Sequence, residues 1–320
     1  MGKNVRRGVL LALAVVFLGS GAMVARSALD YQAGEAAYAE AETLAELPEL
    51  PELPEKAVEE PAAPEEPAAP ETPAPAAPEP VYVDPYADAL RNMDFTALRE
   101  VNREVLGWLL IPNTRVSYPL LQHGDNDYYL ERTWKGQRSA VGAIFMECRS
   151  SGDLSDFHTV IYGHNMNNGS MFGTLKNYKS QSYWAAHPGI YVTTDSGSRC
   201  YEIFAAYEAD TEGLTYQIGF DSQGEKQAFL DDCLSRSVID TGVVPTTADS
   251  ILTLSTCTGR GHATRWVVQG VLKSSLPPAV EATAPAEVPD APAPERQTPE
   301  AVTPSGEEPP EVPEASPDAG

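Results

Sequence analysis

The chain is short of positive charge: 22 lysines and arginines face 46 aspartates and glutamates, for a formal net charge of −24. That balance excludes a basic surface that would track a nucleic-acid backbone, so no nucleic-acid partner is expected. Histidine and cysteine are scarce, at five and four residues. The cysteines form no CxxC pair and no Cys/His cluster, which argues against zinc. There is no HExxH helix and no glycine-rich phosphate loop. Neither a metal nor a cofactor is therefore expected.

Proline is sparse over residues 81–273, where only five of the 28 prolines fall; eleven lie in 48–80 and twelve in 277–320. Acidity is partitioned in the same way. Residues 30–80 carry fourteen acids and one base, and 274–320 carry ten acids and one base. Segments of Pro, Ala and Glu bury too little apolar surface to offset their chain entropy, so both read as disordered tails, with Ala28–Glu46 able to extend as a helix before the proline-rich run. The organisation that follows is an N-terminal membrane segment (1–29), an acidic proline-rich spacer (30–80), one folded domain (81–275) and an acidic disordered tail (276–320). About 190 residues are enough for one domain with one core.

Gly8–Ala25 carries no charge and follows Lys3, Arg6 and Arg7. As a helix this run is about 27 Å long, just enough to cross a bilayer. The basic flank places the N-terminus in the cytoplasm and the remainder outside. Small residues near Ser20–Ala25 also suit a cleaved signal peptide. Either reading exports the domain.

Within 81–275, Tyr86–Leu106 has helical apolar spacing that ends at Gly107. Strand-like runs follow at Trp108–Ile111, Val116–Leu121, Val141–Glu147, Thr159–Tyr162, Ile190–Thr194 and Tyr201–Glu208. Helices are expected near Met171–Tyr178, Gln181–Ala186 and Glu225–Ser235. Many short strands with few helices between them predict a mainly β fold, a closed barrel with helical insertions.

The clearest alternation lies in Ile251–Lys273. Ile251, Thr253, Ser255 and Cys257 share one face of a strand that ends beside a loop, and Arg265 opens the next strand. A thiol and a guanidinium therefore stand at the ends of consecutive strands. An isolated cysteine is more often a small buried hydrophobe; to act as a nucleophile it needs a base or a cationic neighbour. His164, after an apolar strand and beside a Gly/Asn loop, is one candidate base, and His262, five residues past Cys257, is another. His187 reads as a turn residue. Asp156, Asp195 and Asp249 are equal candidates to orient His164. Arg260 sits at a glycine-flanked loop tip, where charge is usually solvated, whereas Arg265 on a strand is better fixed to stabilise an oxyanion.

The stretch TLSTC (Thr253–Cys257), with Arg265 opening RWVV, resembles the active-site strands of sortases. VIYGHNMNNGSMFGTLKNY (Val160–Tyr178) and GWLLIPNTRVSYPLLQHGDNDYYL (Gly107–Leu130) are similar to segments of class B sortases, cysteine transpeptidases of Gram-positive bacteria. The resemblance covers nearly all of 81–273 and excludes the tails. It implies an eight-stranded sortase barrel with an N-terminal helix. It also implies Cys257 as nucleophile, His164 as acid/base and Arg265 as oxyanion stabiliser, with Asn126, Leu130 and Ser255 lining the peptide groove. The reaction implied is cleavage of an exported protein at a sorting motif of the NPxTx or (S/N)PxTG type. The acyl group would pass to an amine of a peptidoglycan precursor or of another surface protein such as a pilin. Thr258 stands where some relatives carry an acidic residue. Asp84-Pro85-Tyr86 faintly resembles the lid of pilin-polymerising class C enzymes, the alternative enzymatic reading. A wall-associated binding module without catalysis is the alternative outside enzymes.

Overall fold

The computed structural model describes residues 2–51, 84–257 and 264–279; for Cys257 and a few residues near the N-terminus it describes the backbone alone. Thr258, Arg260 and His262 lie outside the described residues, as do 52–83 and the tail beyond 279.

Eight strands close a barrel: β1 (Val105–Leu110), β2 (Ser117–Gln122), β3 (Ile144–Met146), β4 (His158–Tyr162), β5 (Gly189–Thr194), β6 (Gly197–Asp210), β7 (Ile251–Cys257) and β8 (Thr264–Leu276). Their order around the barrel is β1-β2-β3-β4-β7-β8-β6-β5, with β5 pairing back to β1. Closure leaves no unpaired edge. Two pairings are parallel, β2 with β3 and β4 with β7, and the others are antiparallel. Leu109, Ile144, Ile161, Ile190, Val192, Leu252, Leu254 and Val268 are all fully or almost fully buried, so the barrel is packed with branched aliphatic side chains. β-Branched and aliphatic alternation is what a half-buried strand requires, and here it drives closure.

The first predicted helix is replaced by three elements. Tyr86–Leu106 divides into α2 (Pro85–Leu90), α3 (Thr96–Val101) and the start of β1. The break lies at Asp94, whose carboxylate accepts from Thr96 N at 2.8 Å and so competes with a continuous helix. Gly107 ends no helix. It lies inside β1 at a register shift, where a Cβ would stand 1.9 Å from the Thr193 carbonyl oxygen of β5. Met171–Tyr178 is likewise shorter than expected, a 3-10 turn at Leu175–Lys179. Asp84 caps α2 by accepting from Tyr86 N and Ala87 N, both at 3.0 Å, and its other oxygen accepts from Tyr191 OH at 3.0 Å. Asp84-Pro85-Tyr86 is thus a helix start, with Pro at the first helical position. Two further helices, α4 (Gln181–Ala186) and α5 (Gln223–Arg236), decorate the barrel.

The N-terminal helix is longer than the apolar run requires. α1 spans Lys3–Leu44, 42 residues, and passes through the expected boundary at residue 29 without interruption. Its first half exposes Leu13, Val16, Phe17, Leu18 and Val24, and it is the one described helix long and apolar enough to cross a membrane. The second half docks on the barrel. Gly34, Ala37, Tyr38, Ala41 and Ala45 form a buried i, i+3, i+4 stripe, small enough for close approach. Polar contacts fix the register: Trp134 Nε1 donates to Ala37 O (2.7 Å), Tyr38 OH to Gly142 O (2.6 Å) and Ala140 N to Asp30 Oδ2 (2.8 Å). Glu49–Pro51 and Pro85 with Asp88 and Ala89 line one surface pocket.

Candidate active site

The pairing of β7 with its two neighbours brings three distant segments to one level of the barrel. On one side β7 runs antiparallel to β8, with Cys257 directly opposite Arg265. Directly opposed residues project from the same face of the sheet. On the other side β4 runs parallel to β7, with Tyr162 paired to Ser255, and the ladder continues when Gly163 N donates to Ser255 O at 3.1 Å. β4 ends there, with His164 two residues past Tyr162 and Cys257 two residues past Ser255. The end of β4 just before His164, the end of β7 at Cys257 and the start of β8 at Arg265 are therefore neighbours.

A shelf formed by the 130–142 loop holds His164. Its Nε2 lies 2.6 Å from Leu130 O, and a carbonyl only accepts, so Nε2 carries the proton. In that tautomer Nδ1 is the acceptor nitrogen of the ring. Gly142 packs against the ring from the same shelf, at φ +65°. A Cβ there would stand 2.6 Å from His164 Cδ2, so no larger residue fits. The three aspartates that sequence left as candidate partners are engaged elsewhere. Asp195 pairs with Arg99 (2.8 Å), Asp156 accepts from Ser151 N (2.6 Å) and Asp249 accepts from Thr246 N (2.7 Å). The part assigned to them is met by a backbone carbonyl, which residue patterns do not reveal.

The other described histidines do other work. His123 bonds Glu104 at 2.6 Å, and His187 Nδ1 donates to Pro112 O at 3.1 Å. His158 is buried between Thr253 and Gln217. The other thiols are poor nucleophiles. Burial pushes Cys200 up to about 12 and Cys233 up to about 11, and Cys148 is raised by desolvation and then by the Glu147 carboxylate. All three are free thiols. Arg265 is part-buried, and its Nη1 donates to Thr264 O at 3.1 Å.

The expected groove residues gather on the His164 side of β7. Asn126 lies in the turn after β2; its Nδ2 donates to Glu147 Oε2 (2.8 Å) and its Oδ1 accepts from Cys148 N (2.9 Å). Leu130 exposes its side chain while its carbonyl holds His164. Ser255 is buried on β7, with Oγ 2.8 Å from Tyr216 OH. Tyr216 lies nearly parallel to Tyr162, with ring centroids 6.4 Å apart at 13°. Tyr162, Tyr216 and Glu147 were not foreseen from sequence. The one signal was a carboxylate, Glu147, closing an apolar strand.

A model of the sortase domain matches residues 109–273. Over 179 residues the chain is 37% identical to sortase B of Listeria monocytogenes, covering 55% of this chain and 72% of the relative. Sortase B from Bacillus anthracis in complex with AAEK1 superposes with a TM-score of 0.58 at 29% identity, covering 76% of this chain and 98% of that one. The Staphylococcus aureus sortase B–substrate complex gives a TM-score of 0.54 at 30% identity, covering 56% and 84%.

Proposed function

The chain belongs to the sortase family, class B, and is a cysteine transpeptidase; from that premise we propose that Cys257, His164 and Arg265 carry the reaction. His164 takes the Cys257 thiol proton, and the resulting thiolate attacks the Thr carbonyl carbon of a sorting motif of the NPxTx or (S/N)PxTG type. Negative charge collects on the carbonyl oxygen, and Arg265, fixed on β8 before substrate arrives, faces it. The C–N bond breaks and His164 protonates the departing amine, leaving an acyl thioester on Cys257. An acceptor amine then attacks the thioester, His164 takes its proton, and the thiolate leaves as the new amide forms. The acceptor is an amine of a peptidoglycan precursor or of another surface protein.

The observation that supports this reading is the register of β4, β7 and β8, which pairs Cys257 with Arg265 and ends β4, two residues before His164, alongside β7. Asn126, Leu130 and Ser255 would receive the motif N-terminal to the scissile bond. Asp84 in its role as a helix cap offers nothing to the class C alternative. α1 would anchor the enzyme as a single-pass protein of the cell membrane with its barrel outside, since Lys3, Arg6 and Arg7 flank the apolar half. The second half of α1 would hold the barrel at the membrane surface.

The test is incubation of the purified ectodomain with a sorting-motif peptide, followed by mass spectrometry. An acyl adduct on Cys257, absent in Cys257→Ala and resolved by an added amine, is the expected result. Turnover retained in Cys257→Ala would remove the nucleophile assignment.

A further inference from the structure

Glu147 is the most costly residue beside the groove. It follows the buried Ile144, Phe145 and Met146 of β3 and is itself only 1% exposed. A buried carboxylate is tolerated when donors surround it, and here they do. Arg149 donates to Oε1 through Nε (2.7 Å) and its backbone N (3.3 Å), with the Cys148 thiol 3.6 Å away. Asn126 Nδ2 (2.8 Å) and Tyr162 OH (2.9 Å) both donate to Oε2. Burial by itself would raise this carboxyl, but hydrogen bonds from Arg149, Asn126 and Tyr162 outweigh it and hold the group down at about 2, ionised across the working range.

The partners of Oε2 are groove residues. A carboxylate only accepts, so it forces the Asn126 amide to turn its NH2 inward. Cys148 N, donating to Oδ1, enforces the same orientation. One Nδ2 hydrogen and one Oδ1 lone pair then remain in fixed directions for a bound peptide. The same oxygen fixes Tyr162, whose ring lies against Tyr216, and Tyr216 bonds Ser255 two residues before Cys257. We propose that Glu147 is the positioning residue of the peptide groove: one buried carboxylate oxygen that orients Asn126 and Tyr162 together and so governs substrate binding without touching the reacting atoms. This rests on the groove reading of Asn126 given above.

Glutamine at 147 has the same shape but one acceptor oxygen, and its NH2 would face donors. The experiment uses the ectodomain, a sorting-motif peptide and steady-state kinetics on Glu147→Gln, Asn126→Ala and the double variant. Expected for Glu147→Gln is a KM raised about tenfold with kcat within about threefold, and an unchanged rate of iodoacetamide alkylation at Cys257. The double variant should fall short of the product of the two single effects, because part of the effect of Glu147 passes through Asn126 and the rest through Tyr162. Additive effects, or a loss of kcat at unchanged KM, would overturn the proposal. Should Glu147→Gln fail to fold, Glu147→Asp keeps the charge on a shorter stem, and a wild-type KM for it would overturn the proposal equally. Asn126→Ala with a wild-type KM would instead refute the groove reading itself, so the two failures are distinguishable.

Discussion

His158 should make the stability of this domain depend on pH. It opens β4 and is fully enclosed, with the Phe229 ring 4.6 Å from its own. Nδ1 donates to Gln217 O at 2.9 Å; Nε2 stands 2.7 Å from Thr253 Oγ1, which also accepts from Gln269 Nε2 at 3.0 Å. The neutral imidazole thus uses both its donor and its acceptor. Burial lowers the folded pKa from 6.5 to about 4, opposed by the Gln217 hydrogen bond and by Asp156. Above the unfolded pKa neither state binds the proton, and the full stability is present. As pH falls through 6.5 the unfolded chain gains a proton that the folded chain refuses, so stability declines until about pH 4. A gap of about 2.5 units corresponds to roughly 3 kcal/mol in full, of which about 2 kcal/mol is lost between about pH 8 and about pH 5. Glu147 acts in a different window, because its lowered pKa costs stability only below about 4.5. Urea unfolding of the ectodomain across that range measures the effect. His158→Gln, which keeps a donor and an acceptor but cannot titrate, should flatten the dependence. A flat wild-type profile, or an unchanged slope in the variant, would refute the reasoning.

Arg265 should act on the transition state. Arg265→Ala is expected to lower kcat by roughly 10²–10³-fold with a smaller change in KM, and Arg265→Lys, lacking the planar fork, should not restore it; a normal kcat with a raised KM would make Arg265 a peptide-binding residue. A fragment starting at residue 81, the boundary suggested by composition, would strip Ala37 and Tyr38 from Trp134 and Gly142. Its urea midpoint should correspond to a loss of about 2–4 kcal/mol relative to a fragment starting at residue 28, and Tyr38→Phe alone should cost about 1 kcal/mol; equal midpoints would show the docked half of α1 to be energetically idle.

Several features were legible because they are local. Alternation in Ile251–Cys257 put the thiol at a strand end, and Arg265 followed one connection later, so their pairing is a short-range consequence of an antiparallel hairpin. His164 was legible only as a polar residue after an apolar strand. The approach of its strand to that of Cys257 depends on a parallel pairing between segments about ninety residues apart, for which no periodicity speaks. The Tyr86–Leu106 pattern misled because helical spacing held over Val101 and Val105, while the Asp94 side chain and the pull of the barrel made the segment end as β1.

By itself the sequence determined what each segment could be: a charge-free helix behind basic residues, short alternating strands, and a thiol and a guanidinium delivered to strand ends. Those properties follow from side-chain polarity and the two backbone periods, which act over a few residues. Tertiary structure alone decided which strands became neighbours, that the second half of α1 grips the barrel, and that Glu147 would be buried yet satisfied. Each of these outcomes depends on donors and apolar faces contributed from far along the chain, and a carboxylate is affordable in the interior only after closure has brought Asn126, Arg149 and Tyr162 around it.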